Sequence, residues 1–173
     1  MRELLSRLLT FDWDYRRLWR YGLLLLLSLV TQNMLLTQLR ILGVHPMVLP
    51  AVVVAMGMFE TPIRGAIFAV LLGVFADMAF IENTVLFTLL FPALSFAASF
   101  LSQFFINRRF FAFMGAAAAA LLVTGLVQML RTAAGDAFSV KMLSTVVLQA
   151  LWSLPFAPLG YLPVARWLKK KLD

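Results

Sequence analysis

The stretch IRGAIFAVLLGVFADMAFI, residues 63–81, decides the fold class. It is apolar apart from Arg64 near its start and Asp77 near its end, and a helix needs about 20 such residues to cross the hydrocarbon core of a bilayer. We therefore expect a membrane-spanning helix here. The whole chain agrees, since 62% of its 173 residues are hydrophobic and 13% are charged, whereas soluble domains are about 45–50% apolar and about 25% charged.

Further apolar stretches lie on both sides of this one. We expect spans at 21–39, 44–59, 84–106, 110–130 and 142–165. The predicted fold is thus an all-α integral membrane bundle of about six transmembrane helices, with the transmembrane domain at 21–165. Residues 1–20 form a cytoplasmic interfacial segment, and residues 166–173 form a basic cytoplasmic tail.

The N-terminal segment has an amphipathic pattern. Leu4, Leu5, Leu8 and Leu9 recur at helical spacing, with Arg and Glu on the other face. This pattern predicts a short helix lying in the membrane interface, and the alternative is a simple stop-transfer anchor. No small-residue cleavage site follows the first apolar run, so we expect this run to stay attached rather than to be removed as a signal peptide.

The distribution of positive charge predicts the orientation. Short loops on the cytoplasmic side carry an excess of Lys and Arg. With six spans, 12 basic residues fall on one side and 3 on the other, which places both termini in the cytoplasm. The 12 are Arg2, Arg7, Arg16, Arg17, Arg20, Arg64, Arg108, Arg109, Arg166, Lys169, Lys170 and Lys171, and the 3 are Arg40, Arg131 and Lys141.

The composition argues against several function classes. There is no cysteine and only one histidine, His45, which excludes a disulfide framework, a thiolate metal site and a multi-histidine site. The basic residues fall at helix ends rather than along a stripe, so we expect no nucleic acid partner. Paired catalytic acids, a Ser/His/Asp set and a phosphate loop are missing from the sequence. We therefore predict a protein that is not an enzyme and that needs no cofactor, and a lipid-modifying enzyme is the least favoured class.

Small residues recur every four positions in the span at 63–81. Gly65, Ala69, Gly73 and Asp77 share one helix face, and small residues let helix backbones approach closely in lipid. We expect this span to be central to the bundle, with its small face packed against another helix of this chain or of a partner. We expect the same of Ala93 and Ala97, and of Ala116–Ala120 with Thr124.

Asp77 lies near a helix C-terminus, where the helix dipole disfavours an anion. This placement suggests a bonding partner, and the candidates are Arg40, the backbone N–H groups that open the next span near Asn83 and Thr84, or another protein. The alternative is an exposed acid in the outer headgroup layer.

Glu60 and Arg64 are the other charged pair close to the membrane. They lie four residues apart at the cytoplasmic junction of the second and third spans, with Pro62 between them. We interpret them as an ion pair across a tight interfacial turn, and the alternative is that they take part in helix packing or partner binding.

Residues 46–113 resemble the rod shape-determining protein MreD family. The resemblance is carried by a short Pro-led span, a Pro-containing turn, a span built as Gly65-x7-Gly73-x3-Asp77, and the aromatic and basic loop FFINRRFF at 104–111. It implies a non-enzymatic, multi-pass subunit of the bacterial cell-elongation complex in the cytoplasmic (inner) membrane. Such a subunit binds MreC, a bitopic protein, in an assembly that links MreB filaments to the peptidoglycan synthase RodA and its transpeptidase.

The alternative is the substrate-binding S component of an energy-coupling-factor vitamin transporter, which also has six helices. The first span here is leucine-rich and has no Ala-x3-Ala pattern with which to dock a transporter partner. The loops on the outer side are short and poor in the groups that line a vitamin pocket. The scaffold role is therefore the preferred prediction.

Overall fold

The computed structural model describes residues 15–36, 38–39, 44–79, 85–104, 110–135 and 140–168, and most of these residues lie in helices. The all-α prediction is therefore confirmed. A π-helical turn, Thr31–Leu36, extends the first helix, and a 3₁₀ turn, Leu154–Phe156, joins the last two. The α-helices in chain order are α1 (Tyr15–Val30), α2 (Leu49–Phe59), α3 (Pro62–Ala79), α4 (Leu86–Phe104), α5 (Phe110–Gly135), α6 (Val140–Ser153) and α7 (Ala157–Leu168).

Within the part of the chain that the structure describes, three helical stretches are long and apolar enough to cross a membrane. They are Pro62–Ala79, Phe110–Arg131 and Met142–Arg166, with mean hydropathies of 1.6, 2.2 and 1.4. This indicates a membrane protein. Leu49–Phe59 and Leu86–Ser102 are apolar but shorter. The count of six crossings and the cytoplasmic position of both termini remain predictions.

The helix boundaries differ from the predicted spans in three places. α1 begins at Tyr15 and runs without a break through Arg20 and Tyr21, so it starts before the expected boundary at 21. Residues 44–48 are not helical, which shortens the second helix to 11 residues. The last stretch divides at Leu154–Phe156, because Pro155 has no N–H to continue the helical hydrogen bonds.

The central helix of the bundle is α2. All of its residues are buried, and it packs against α3, α4, α5 and α7. The prediction that the span at 63–81 is central is therefore wrong. α3 buries one face and leaves Ile67, Leu71 and Phe75 exposed on the other. α2, in contrast, carries small and β-branched apolar side chains on every side. A helix that is apolar all round is typical of a buried position.

An aromatic cluster closes the Phe59 end of α2. The ring of Tyr161 in α7 lies 5.5 Å from that of Phe59, 5.4 Å from that of Phe110 and 4.8 Å from that of Phe113, as centroid separations. Aromatic pairs at such separations stabilise beyond their buried area. The cluster therefore joins α2, α5 and α7 at one end of the bundle.

Candidate functional site

The small-residue face of α3 packs against α4. Gly65, Ala69 and Gly73 are all buried, and α3 and α4 share the most extensive contact between described helices. A Cβ atom at position 73 would lie 2.6 Å from the carbonyl oxygen of Phe87 and 2.7 Å from the Cα atom of Thr88. Both are backbone atoms that cannot rotate aside, so only glycine permits this approach.

Asp77 lies one helical turn beyond Gly73 and bonds to the start of α4. Its Oδ1 atom accepts a hydrogen bond from the backbone N–H of Phe87 at 3.0 Å. Its Oδ2 atom accepts from the backbone N–H of Thr88 at 2.8 Å and from the Thr88 hydroxyl at 2.6 Å. Asp77 therefore caps the N-terminus of a neighbouring helix.

The sequence of α4 explains why this cap comes from another helix. The residue before α4 is Val85, whose side chain has no oxygen to accept from the first N–H groups. The carboxylate of Asp77 supplies that oxygen, and the positive end of the α4 dipole offsets the unfavourable dipole of α3. The expected bonding to N–H groups that open the next span is thus found at Phe87 and Thr88, whereas Arg40, Asn83 and Thr84 lie outside the described residues.

A second close approach lies near the other end of α3. A Cβ atom at Gly65 would meet the Ser95 hydroxyl oxygen at 2.9 Å and the Gly57 Cα atom at 3.4 Å, and a Cβ atom at Gly57 would overlap the Ser95 carbonyl oxygen. Three helices, α2, α3 and α4, therefore meet backbone to backbone. Sequence reasoning missed Gly57, although a glycine inside an apolar helix costs helix propensity and is a signal of close packing.

The non-helical segment before α2 is held by side chains from two other helices. Gln32, which is 4% exposed, donates from Nε2 to the Pro46 carbonyl at 3.1 Å and accepts at Oε1 from the Val48 N–H at 2.8 Å. The Met47 N–H donates to the Ser153 hydroxyl at 2.8 Å. Non-helical backbone inside an apolar bundle needs such internal partners. Gln32 and Ser153 were also missed as a pair, because they are 121 residues apart in sequence.

Glu60 ends α2 and bonds to α1 as well as to its own neighbour, since its Oε2 atom accepts a hydrogen bond from the Thr61 N–H at 3.4 Å. The hydroxyl of Tyr21 donates a hydrogen bond to its Oε1 atom, and the ring of Tyr21 lies edge-on to Phe68 of α3 with a centroid separation of 6.4 Å. Among the described side chains Glu60 makes no ion pair with Arg64, so the interpretation of these two residues as an ion pair is wrong. A Tyr inside one helix and a Glu just after the end of another gave no sequence signal.

The other predicted small-residue faces divide into one that packs inside and one that does not. In α5, Ala117, Ala120 and Thr124 are buried, and the Thr124 hydroxyl donates to the Ala120 carbonyl at 2.7 Å. In α4, Ala93 and Ala97 are exposed, so the expectation that they form a seam is wrong within this chain. α4 instead uses its opposite face, which carries Phe91 and Ser95, to reach α2 and α3.

The polar side chains of these contacts serve to fix helices relative to one another. Asp77, Gln32 and Ser153 bind backbone groups at helix starts, and Glu60 binds a tyrosine hydroxyl. No group of three or more His, Cys, Asp or Glu within the described ranges is arranged to hold a metal ion. Comparison with protein-family models, curated proteins and solved structures finds no match for this chain.

Proposed function

We propose that this chain is a non-enzymatic scaffold subunit of the bacterial cell-elongation complex. It would bind an MreC-like bitopic protein in the cytoplasmic membrane and help to couple MreB filaments to RodA and its transpeptidase during peptidoglycan synthesis. It would cross the membrane six times with both termini in the cytoplasm.

The observation that carries this proposal is the joint use of Gly73 and Asp77. These residues belong to the pattern by which the sequence resembles the MreD family, and in the structure both of them fix α4 against α3. Gly73 admits the start of α4, and Asp77 then caps it at 2.8 and 3.0 Å. A helix pair locked in this way presents a rigid surface to other membrane proteins, which is what a scaffold needs.

The charge pattern supports the proposed topology. Arg20 lies in the N-terminal half of α1, Arg64 near the start of α3 and Arg166 in the last turn of α7. Six crossings place all three on one side, in keeping with the positive-inside rule. Because the chain has no cysteine, single cysteines added at positions 2 and 172 can be labelled from either side of the membrane. We expect both to react only after the membrane is permeabilised. Labelling of one end in intact cells would rule out the six-span topology.

The binding role is tested by co-purification. The full-length chain and a tagged MreC-like protein from the same organism are co-expressed and extracted in a mild detergent. We expect the two to elute together, whereas an unrelated bitopic protein with the same tag serves as the control and should not retain the chain. If the MreC-like protein is recovered intact but without the chain, the proposal is contradicted.

A further inference from the structure

α1 is held to the bundle less tightly than α3 and α4 are held to each other. Few of its residues come close to α2, α3 and α7, and Trp19 and Leu26 remain 69% and 63% exposed. A cavity of about 30 Å³ lies between α1, α2 and α7, with Ser28, Val52 and Gly160 among its lining residues. Loose packing of this kind is typical of elements that move.

The end of α1 beyond Val30 is firmly anchored. Gln32 bonds to both sides of the buried segment that leads into α2, and Leu36 is only 1% exposed. The hydrogen-bond pattern changes from α to π at Thr31, and such a change within a helix often marks a functional site. This end has the anchoring that a pivot requires.

The N-terminal half of α1 is held by a contact that can be released. Tyr21 is half-buried and donates its hydroxyl to Glu60. Glu60 is the C-cap of α2, and its own backbone N–H bonds back to the Met56 carbonyl at 2.9 Å. The Tyr21–Glu60 bond therefore ties α1 directly to the core helix.

We propose that α1 is a hinged helix that pivots at its Gln32 end and is latched by the hydrogen bond from Tyr21 to Glu60. Release of the latch moves the part of α1 around Tyr21 away from α2 and α7. The cavity lies closer to the pivot, where Ser28, Thr31 and Val48 line it, and the space opened at Tyr21 extends it along the helix. A ligand or partner that contacts the exposed face of α1 can then control the position of this helix. The hinge does not depend on the proposed binding of an MreC-like protein.

Distances between spin labels test the hinge, since the chain without cysteine needs no prior substitution. Labels are placed on Leu23→Cys in α1 and Leu162→Cys in α7, which are 43% and 46% exposed, in full-length chain reconstituted in lipid bilayers. Tyr21→Phe removes the latch hydroxyl alone. We expect it to broaden the distance distribution and to lengthen its mean by about 5 Å, the size of a one-turn helix displacement. A distribution unchanged by Tyr21→Phe would overturn the proposal.

Two further label pairs separate a hinge from other motions. The pair Met34→Cys and Leu151→Cys reports on the pivot end and should be unaffected by Tyr21→Phe; an equal shift there would mean that α1 detaches as a whole, which contradicts a pivot. The pair Leu71→Cys and Leu89→Cys lies on α3 and α4 and should keep one narrow distance.

Two other substitutions complete the test. Tyr15→Phe makes the same chemical change at an 84% exposed position and is the matched control, so we expect no shift from it. If Tyr21→Phe disturbs the reference pair on α3 and α4, Glu60→Ala removes the same hydrogen bond from the other side and decides the question instead.

Discussion

The pair α1–α2 and the pair α3–α4 are built on the same plan. In each pair the second helix begins after a valine, Val48 or Val85, whose side chain cannot cap it. In each pair a polar side chain from the first helix supplies the missing acceptor: Gln32 binds the Val48 N–H, and Asp77 binds the N–H of the second and third residues of α4.

The two pairs differ in the residue one turn before the cap. In α3 this residue is Gly73, and the backbones of α3 and α4 come into contact. In α1 it is Ser28, whose hydroxyl bonds to the Leu25 carbonyl in its own helix and which lines the cavity beside α2. A cap in one helix therefore fixes where its neighbour begins, whereas the residue a turn away decides whether the two helices pack tightly.

The largest expected effect comes from filling the close approach of α3 and α4. Gly73→Ala forces a methyl group within 2.6 Å of a backbone carbonyl oxygen, and overpacking of this kind costs about 3 kcal/mol. The midpoint of thermal unfolding in detergent micelles should fall accordingly. Gly115→Ala in α5 is the matched control, since nothing lies within 4 Å of its added Cβ, and it should be neutral or stabilising by up to about 1 kcal/mol.

The difference in unfolding midpoint between these two variants measures how much the close approach at position 73 contributes. If Gly73→Ala and Gly115→Ala changed the unfolding midpoint equally, the contact of α3 with α4 would not depend on the missing side chain at position 73.

The next largest effect is expected at the cap of α2. Gln32→Leu keeps an apolar side chain of similar length but leaves the Val48 N–H and the Pro46 carbonyl without their buried partner. Unsatisfied buried groups cost about 1–3 kcal/mol, so we expect a loss of about 2 kcal/mol in the free energy of unfolding. Gln38→Leu, at an exposed position, is the control. Equal stability of the two variants would show that Gln32 does not support the non-helical segment.

A smaller effect is expected at the cap of α4. Asp77→Ala removes three hydrogen bonds, and loss of a capping side chain costs about 1 kcal/mol. Asp77→Asn should retain part of the stability, because its single amide oxygen can still accept from one of the two backbone N–H groups, whereas its NH2 group cannot accept from the other. The unfolding midpoints of both variants check this order. An Asn variant as unstable as the Ala variant would mean that charge rather than capping keeps Asp77 in place.

The sequence predicted which face of α3 packs better than it predicted where α3 lies in the bundle. The repeat of Gly65, Ala69 and Gly73 indicated the face that packs, because small residues at steps of four in an apolar helix allow another helix to approach closely. The need of Asp77 for a partner followed from its place at a helix end. Both inferences use information within one helix turn or two.

The features that sequence reasoning missed depend on residues far apart in the chain. The burial of α2 follows from how many helices surround it, and its apolar sequence resembles that of a lipid-facing helix, because lipid and protein interiors favour the same side chains. The bonds of Tyr21 to Glu60 and of Ser153 to Met47 join residues separated by 39 and 106 positions. Local pattern carries no information about such pairs.

The smallest effect on stability is expected on the outer face of α4, and it separates the two roles that a small-residue stripe can have. Ala97 is exposed, so Ala97→Leu should change the free energy of unfolding by less than about 0.5 kcal/mol. Ala120→Leu makes the same change at a 3% exposed position in α5 and should cost about 1–3 kcal/mol through overpacking.

Co-purification with the MreC-like protein gives the same pair of variants a second use. If Ala97→Leu leaves the chain stable but lowers its recovery with that partner, the small residues of α4 form part of the contact between chains, because close helix approach in lipid requires small side chains. If recovery is unchanged, the partner binds elsewhere and Ala93 and Ala97 face lipid. In that case the difference between the small residues of α3 and those of α4 concerns only the packing of this chain: α3 packs through its small residues, whereas α4 packs through the opposite face.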